Sequence, residues 1–301
     1  MPHIQSNGID LYYESHGDAA APEPILLIMG LGAQMTRWPP AFYGKLVDAG
    51  HRVILFDNRD VGLSEKLDAA GLPDVPGILQ ALAAGQTPPA AYTLAEMAAD
   101  AVGLLDALGI QRAHIVGASM GGMIAQLVAA DYPQRVLSLT SVMSTTGNRE
   151  LPPSKPEAIA VLNNRGPDPR EDVEGFLTNS VKSARAIGSP GYPAEEAGIR
   201  ERALSDFNRS FSPLGFMRQY AGVMASPDRR AKLKTITAPT LVIHGVDDAL
   251  VPVEGGKDTA ANIPGAELLL IPGMGHDLPV QLHDQIAQAI LGVVAKARAT
   301  A

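Results

Sequence analysis

Apolar positions along the chain fall into two kinds of run. The first kind is short: Ile25-Leu-Leu-Ile-Met29 is continuously apolar, Val53-Ile-Leu-Phe56 is a second such run, and Ala113-His-Ile-Val116, Val136 to Val142, Thr240-Leu-Val-Ile243 and Glu267-Leu-Leu-Leu-Ile271 are strand-like stretches that include a few polar residues. Runs of this length suit strands covered on both faces, as in a parallel sheet. The second kind is longer and amphipathic. It covers about Pro39 to Ala49, then Met97, Ala101, Leu104, Leu105 and Leu108, then Met120 to Ala130, and finally about Val280 to Arg298. These predict helices. Thr93-Leu-Ala-Glu96 opens one of them as a capping box, and Gly109 stops it. Ahead of them all, His3 to Ser6 and the alternating Ile9, Leu11 and Tyr13 flank Asn7-Gly8, which predicts a β-hairpin. Strand–helix alternation of this kind predicts an α/β fold, with a mostly parallel central sheet flanked by helices.

The rhythm breaks after Val142. From about Ser144 to Lys234 the chain is rich in proline and charge, with short helical patterns and no buried-strand signal. A structureless excursion of that length inside a compact domain would be unusual. The expected division is a core of residues 1–143 and 236–301 around an inserted helical cap of residues 144–235.

Composition narrows the chemistry. The 301 residues include no cysteine, which excludes disulfides, a thiol nucleophile and Cys-ligated metal. With 24 Lys+Arg against 32 Asp+Glu, the formal charge is −8 and there is no basic block, so nucleic acid is not an expected partner. At 46% hydrophobic and 19% charged the chain is an ordinary globular one. The start lacks a basic and apolar leader, and no apolar stretch is long enough to span a bilayer. A cytoplasmic protein without membrane partners is expected. No motif calls for a metal or a cofactor.

The nucleophile then has to be an oxygen or a nitrogen, and one serine stands in the right context. Gly117-Ala-Ser119-Met-Gly121-Gly122 matches G-x-S-x-G directly after a predicted strand and before a predicted helix. That placement suits a nucleophile elbow, a sharp turn that lifts the Ser Oγ above the sheet. The small residues at 117 and 121 leave room for the neighbouring strand and helix. A serine needs a base, and the base an orienting acid, in the chain order Ser, acid, His. Of the downstream histidines, His276 lies in the loop Pro272 to Pro279 after the last predicted strand, where open α/β sheets place function. His244, at a strand end, is expected to be packed or hydrogen-bonded, and His283, within a helix, to be solvated. Asp248 and Asp247 both follow the penultimate strand. Asp248 is the favoured acid, and Asp247 is expected to bond nearby amides in the turn. No carboxylate occurs between Ser141 and Asn148 to compete for the role. For the oxyanion, the expected donors are the amide of Met120, at a helix N-terminus, and that of Leu31, in the Gly-rich loop Met29-Gly-Leu-Gly32.

These motifs resemble the α/β-hydrolase superfamily over nearly the whole chain. The elbow, Asp57-Asn-Arg-Asp-Val-Gly-Leu-Ser64, Asp248 and His276 fall in the family's order. The variant Met29-Gly30, together with Gly-Met-Gly-His276, resembles the bacterial esterase branch that contains aclacinomycin methylesterase. The resemblance implies a structural role for Asp57 to Ser64, and hydrolysis of a small to medium, apolar carboxylic ester by Ser119, His276 and Asp248. A lactonase, perhydrolase or carbon–carbon bond hydrolase would use the same triad. A ligand-binding protein on this scaffold would be expected to have lost a triad member. Candidate pocket walls are Phe207, Phe211, Phe216, Tyr220 and Met224, which could equally form the cap's own small core, and Trp38, which could equally be core packing.

Overall fold

A computed structural model describes residues 2–300 except residues 87 and 165, and of residue 300 the backbone alone. The predicted hairpin forms from β1 (His3–Ser6) and β2 (Ile9–His16), and both turn residues, Asn7 and Gly8, have positive φ. The predicted strands become β3 (Ile25–Ile28), β4 (Val53–Phe56), β5 (Ala113–Ala118), β6 (Val136–Val142), β7 (Thr240–Gly245) and β8 (Glu267–Ile271). They form one eight-stranded sheet in the order β1-β2-β4-β3-β5-β6-β7-β8. All pairings from β4 to β8 are parallel, and β2 runs antiparallel to both its neighbours.

The helices are α1 (Pro40–Asp48), α2 (Val75–Ala83), α3 (Leu94–Ala107), α4 (Met120–Asp131), α5 (Pro156–Asn163), α6 (Val173–Ile187), α7 (Glu196–Arg209), α8 (Pro213–Ala225), α9 (Arg230–Leu233), α10 (Val253–Asn262) and α11 (His283–Thr300). Strand alternation divides the core into two layers. Leu26, Ile28, Ile54 and Ile115 pack with α3 and α4 on one face. Ile25, Leu27, Val53 and Val116 pack with α1 and α11 on the other. Burial on both faces accounts for the lack of polar alternation in these strands. The edge strand β8 is the exception, with Leu268 exposed. Helices α5 to α9 all lie between β6 and β7 in the chain. Among the described residues no helix is long and apolar enough to cross a membrane.

Of the two roles open to Trp38, it takes core packing: it is buried in the core layer of α1 and α11 and stacks on Phe42 with ring centroids 5.6 Å apart. One expectation is corrected. His283 is not solvated: it is buried, meets Phe42 edge-on at 5.5 Å and donates from Nε2 to the Leu278 carbonyl at 3.2 Å. The helix begins at His283 itself, after a short 3-10 turn, which rotates the ring onto the core.

Candidate active site

Ser119 sits between β5 and α4 with φ 56° and ψ −121°, a left-handed conformation that costs free energy for a serine. Close packing fixes it. A Cβ on Gly117 would lie 2.0 Å from the Gly121 carbonyl oxygen, and one on Gly121 would lie 2.1 Å from that of Ile28. Only glycine lets the strand, the turn and the helix come this close. Ser144 Oγ, just beyond β6, donates to the Ser119 carbonyl at 2.8 Å.

His276 Nε2 lies 2.9 Å from Ser119 Oγ, and its Nδ1 lies 2.7 Å from Asp248 Oδ2. Donation from Nδ1 to the carboxylate leaves Nε2 as an acceptor for the serine hydroxyl. The Asp248 carboxylate is fully buried and its Oδ1 accepts the amides of Leu250 and Val251 at 2.9 and 2.8 Å. Asp247 is exposed, and its Oδ2 accepts the Gly273 amide at 2.7 Å. It therefore holds the loop that carries His276. His244 is buried behind the carboxylate. Its Nε2 donates to the Val251 carbonyl at 2.8 Å and lies 3.6 Å from Asp248 Oδ2. Burial pushes the His244 pKa down, which favours a neutral ring beside the acid.

The loop after β3 passes directly over the serine. A Cβ on Gly30 would meet Ser119 Cβ at 3.1 Å. Among the described residues, neither the Leu31 amide nor the Met120 amide donates to a protein acceptor. The histidine loop is braced from the other side by the segment after α6. The His276 amide donates to the Ile187 carbonyl at 2.7 Å, and the Gly275 amide to Ser189 Oγ at 2.9 Å. Ser189 in turn donates to Asp277, whose carboxyl pKa is pushed up by burial.

The aromatic residues of the 144–235 segment divide. Phe207 packs against Phe176 and Phe211 with centroids 6.2 and 5.6 Å away, an aromatic cluster of the segment itself. Phe216 lies against Gly32 of the serine-facing loop and stacks on Tyr220 at 6.4 Å. Met224 instead lines a cavity of about 330 Å³ with Met123, Thr145, Val223 and Arg229. All five pocket candidates of this segment are half-buried.

Several residues around the site carried no sequence signal. Gln219 is buried and bridges Gly32 to Arg59. Arg218 grips Asp60, and Arg209 pairs with Asp57 at 2.7 Å. Asp57 also accepts the amides of Met35 and Leu63 at 2.8 Å each, a holding role for this carboxylate. Ser189 and Gln219 have partners far away in the chain, and no local spacing marks them.

The chain is similar to several known proteins. A model of the α/β-hydrolase fold matches residues 23–186, more than half of the chain. Rhodomycin D methylesterase of Streptomyces peucetius is 30% identical over 303 residues, covering 95% of each chain. A 2-hydroxy-6-oxononadienedioate/2-hydroxy-6-oxononatrienedioate hydrolase of Burkholderia vietnamiensis is 30% identical over 281 residues, covering 91% of this chain and 87% of its own. Among solved structures, an N-acyl homoserine lactone degrading enzyme superposes with a TM-score of 0.70 at 28% identity, covering 97% of this chain and 99% of that one. The sheet order, the serine turn after β5 and these end-to-end matches lead to one assignment: the chain belongs to the α/β-hydrolase fold family.

Proposed function

We propose that the protein is a serine carboxylic ester hydrolase working through an acyl-enzyme. The observation that carries this reading is the unbroken hydrogen-bond chain from Ser119 Oγ through His276 to the buried Asp248 carboxylate. In this reading Ser119 Oγ attacks the ester carbonyl while His276 Nε2 takes its proton. Asp248 holds the imidazole in the productive tautomer and stabilises the imidazolium. The amides of Leu31 and Met120 receive the developing oxyanion, and the latter gains from its place at the start of α4. Collapse of the tetrahedral intermediate breaks the bond to the alcohol oxygen, which takes the proton from Nε2. Water, deprotonated by the same nitrogen, then attacks the acyl carbon and returns free Ser119.

The helices of 144–235 act as a cap over this centre. Phe216 and Tyr220 offer an apolar wall beside the serine-facing loop, which suits a small to medium apolar ester. Similarity to a methylesterase supports the ester, and the reading carries with it a small-molecule partner.

The test is hydrolysis of short-chain p-nitrophenyl esters by wild type, Ser119→Ala and His276→Ala. Both substitutions should reduce kcat by a similar factor, about 10³ or more, because the groups act as a unit. Equal inactivity of all three across acyl lengths would overturn the ester reading. A parallel panel of methyl esters, lactones and carbon–carbon cleavage substrates decides between the chemistries that share this triad.

A further inference from the structure

We propose that Gln219 is a positioning residue that fixes the oxyanion loop, an assignment that rests on the esterase reading above. Its side chain is fully buried on the inner face of α8. The amide is used in two opposite directions. Oε1 accepts the Gly32 N–H at 2.8 Å, and Nε2 donates to the Arg59 carbonyl at 2.7 Å. Gln219 is thus a spacer of set length between the loop after β3 and the segment after β4.

Its hold on Gly32 bears on catalysis because of the turn it controls. The Ala33 amide donates to the Gly30 carbonyl at 3.2 Å, closing a four-residue turn with Leu31 and Gly32 at its centre. Gly32 has φ +64°, the sign that a type II turn demands at its third position. Type I and type II turns differ by rotation of the central peptide, here the Leu31–Gly32 unit. The N–H of that peptide is the group that Gln219 accepts. Rotation would strand a buried Oε1 without a donor, so the bond selects one turn state. It also commits the Gly32 amide and leaves Leu31 as the amide this loop offers to the oxyanion.

Packing supports the same assignment. Phe216, one turn before Gln219, covers Gly32 so closely that a Cβ there would lie 2.4 Å from its ring. Gly215 and Gly222, on the same face as Gln219, bring α8 onto the core backbone. A Cβ at 215 would be 1.9 Å from the Asp60 carbonyl oxygen, and one at 222 would be 3.0 Å from that of Tyr92. A side chain that merely filled this space could be apolar. An amide with both ends engaged sets distance and orientation, and a small misplacement of an oxyanion donor is costly in rate.

The experiment compares wild type, Gln219→Leu and Gln219→Glu with p-nitrophenyl acetate, counting active sites in each by stoichiometric reaction with a fluorophosphonate. Per titrated site, Gln219→Leu should lose about 10- to 100-fold in kcat with KM changed by less than about twofold. Gln219→Glu keeps an acceptor for Gly32 but turns a carboxylate toward the Arg59 carbonyl. Its per-site kcat relative to wild type should therefore recover as pH falls and the carboxyl gains a proton able to donate. Wild-type kcat per site in both variants, with losses confined to KM or to the fraction of titratable sites, overturns the proposal. If Gln219→Leu does not fold, the pH profile of Gln219→Glu decides alone, a flat ratio counting against it. Wild type inert to both ester and fluorophosphonate overturns the esterase reading itself.

Discussion

Asp247 and Asp248 are adjacent carboxylates given different work by the backbone. The turn after β7 buries Asp248 under two amides and aims its second oxygen at His276, while Asp247 faces solvent and holds Gly273. Asp248→Asn keeps an acceptor for the Leu250 and Val251 amides. It then presents an NH₂ group to His276 Nδ1, which favours the tautomer with its proton on Nε2 and leaves Ser119 without a base. A loss of about 10³-fold or more in kcat is expected, against less than about tenfold for Asp247→Asn, with steady-state ester hydrolysis as the measurement. The reverse order would exchange the two roles. Ser119, His276 and the Asp247–Asp248 pair were legible because each lies in a short motif at a strand end. No local motif separates the two carboxylates. What the sequence could not show is how the acid is backed: His244 reaches it only through folding of the β7 end.

At the scale of elements, the strands were legible and two helices were not. Helix α2 begins Val75-Pro-Gly, where Gly77 is a poor helix former, yet Asp74 caps it by accepting the Gly77 amide at 3.0 Å. Helix α10 carries Gly255 and Gly256, poor helix formers. Packing demands the second of them, since a Cβ on Gly256 would lie 2.5 Å from His244 Nδ1. Sequence periodicity cannot report a neighbour that arrives from another strand. Strand β5 shows the same limit. Its run Ala113-His-Ile-Val contains a histidine that is wholly buried, with Nδ1 2.8 Å from Ser138 Oγ on β6. Burial lowers the pKa of His114 from 6.5 to about 4. The folded state then binds this proton less readily than the unfolded chain. Its contribution is fully present above pH 6.5 and is lost as pH falls toward 4, by roughly 3 kcal/mol in total. Denaturant unfolding at a series of pH values should show this slope, and His114→Gln should flatten it. An equal slope in the variant would place the acid sensitivity elsewhere, with His244 and His283, whose pKa values burial also lowers, as the next candidates.

At the scale of the whole molecule, the α/β alternation and the interruption between β6 and β7 were readable, but the attachment of the interruption to the core was not. That attachment is polar and buried. Arg218 of α8 meets Asp60 with Nη2 and Nε at 2.6 and 2.9 Å, and both side chains are almost wholly out of solvent. Asp60 is further held by the Tyr92 hydroxyl at 2.7 Å and the Leu67 amide at 2.8 Å. In the sequence Asp60 belongs to the Asp57–Ser64 segment and Arg218 to a stretch with no strong pattern, 158 residues away. Nothing local couples them. A buried pair of this kind adds little net stability over a well-packed apolar pair, but removing one partner strands the other charge. Arg218→Met should therefore lower the unfolding free energy by about 3–5 kcal/mol, read by denaturant titration. Adding Asp60→Asn to that background should recover part of the loss, since the uncompensated carboxylate is what makes the single change severe. If the single change costs less than about 1 kcal/mol, water reaches Asp60 when α8 loosens, and the helix is not held to the core by this pair.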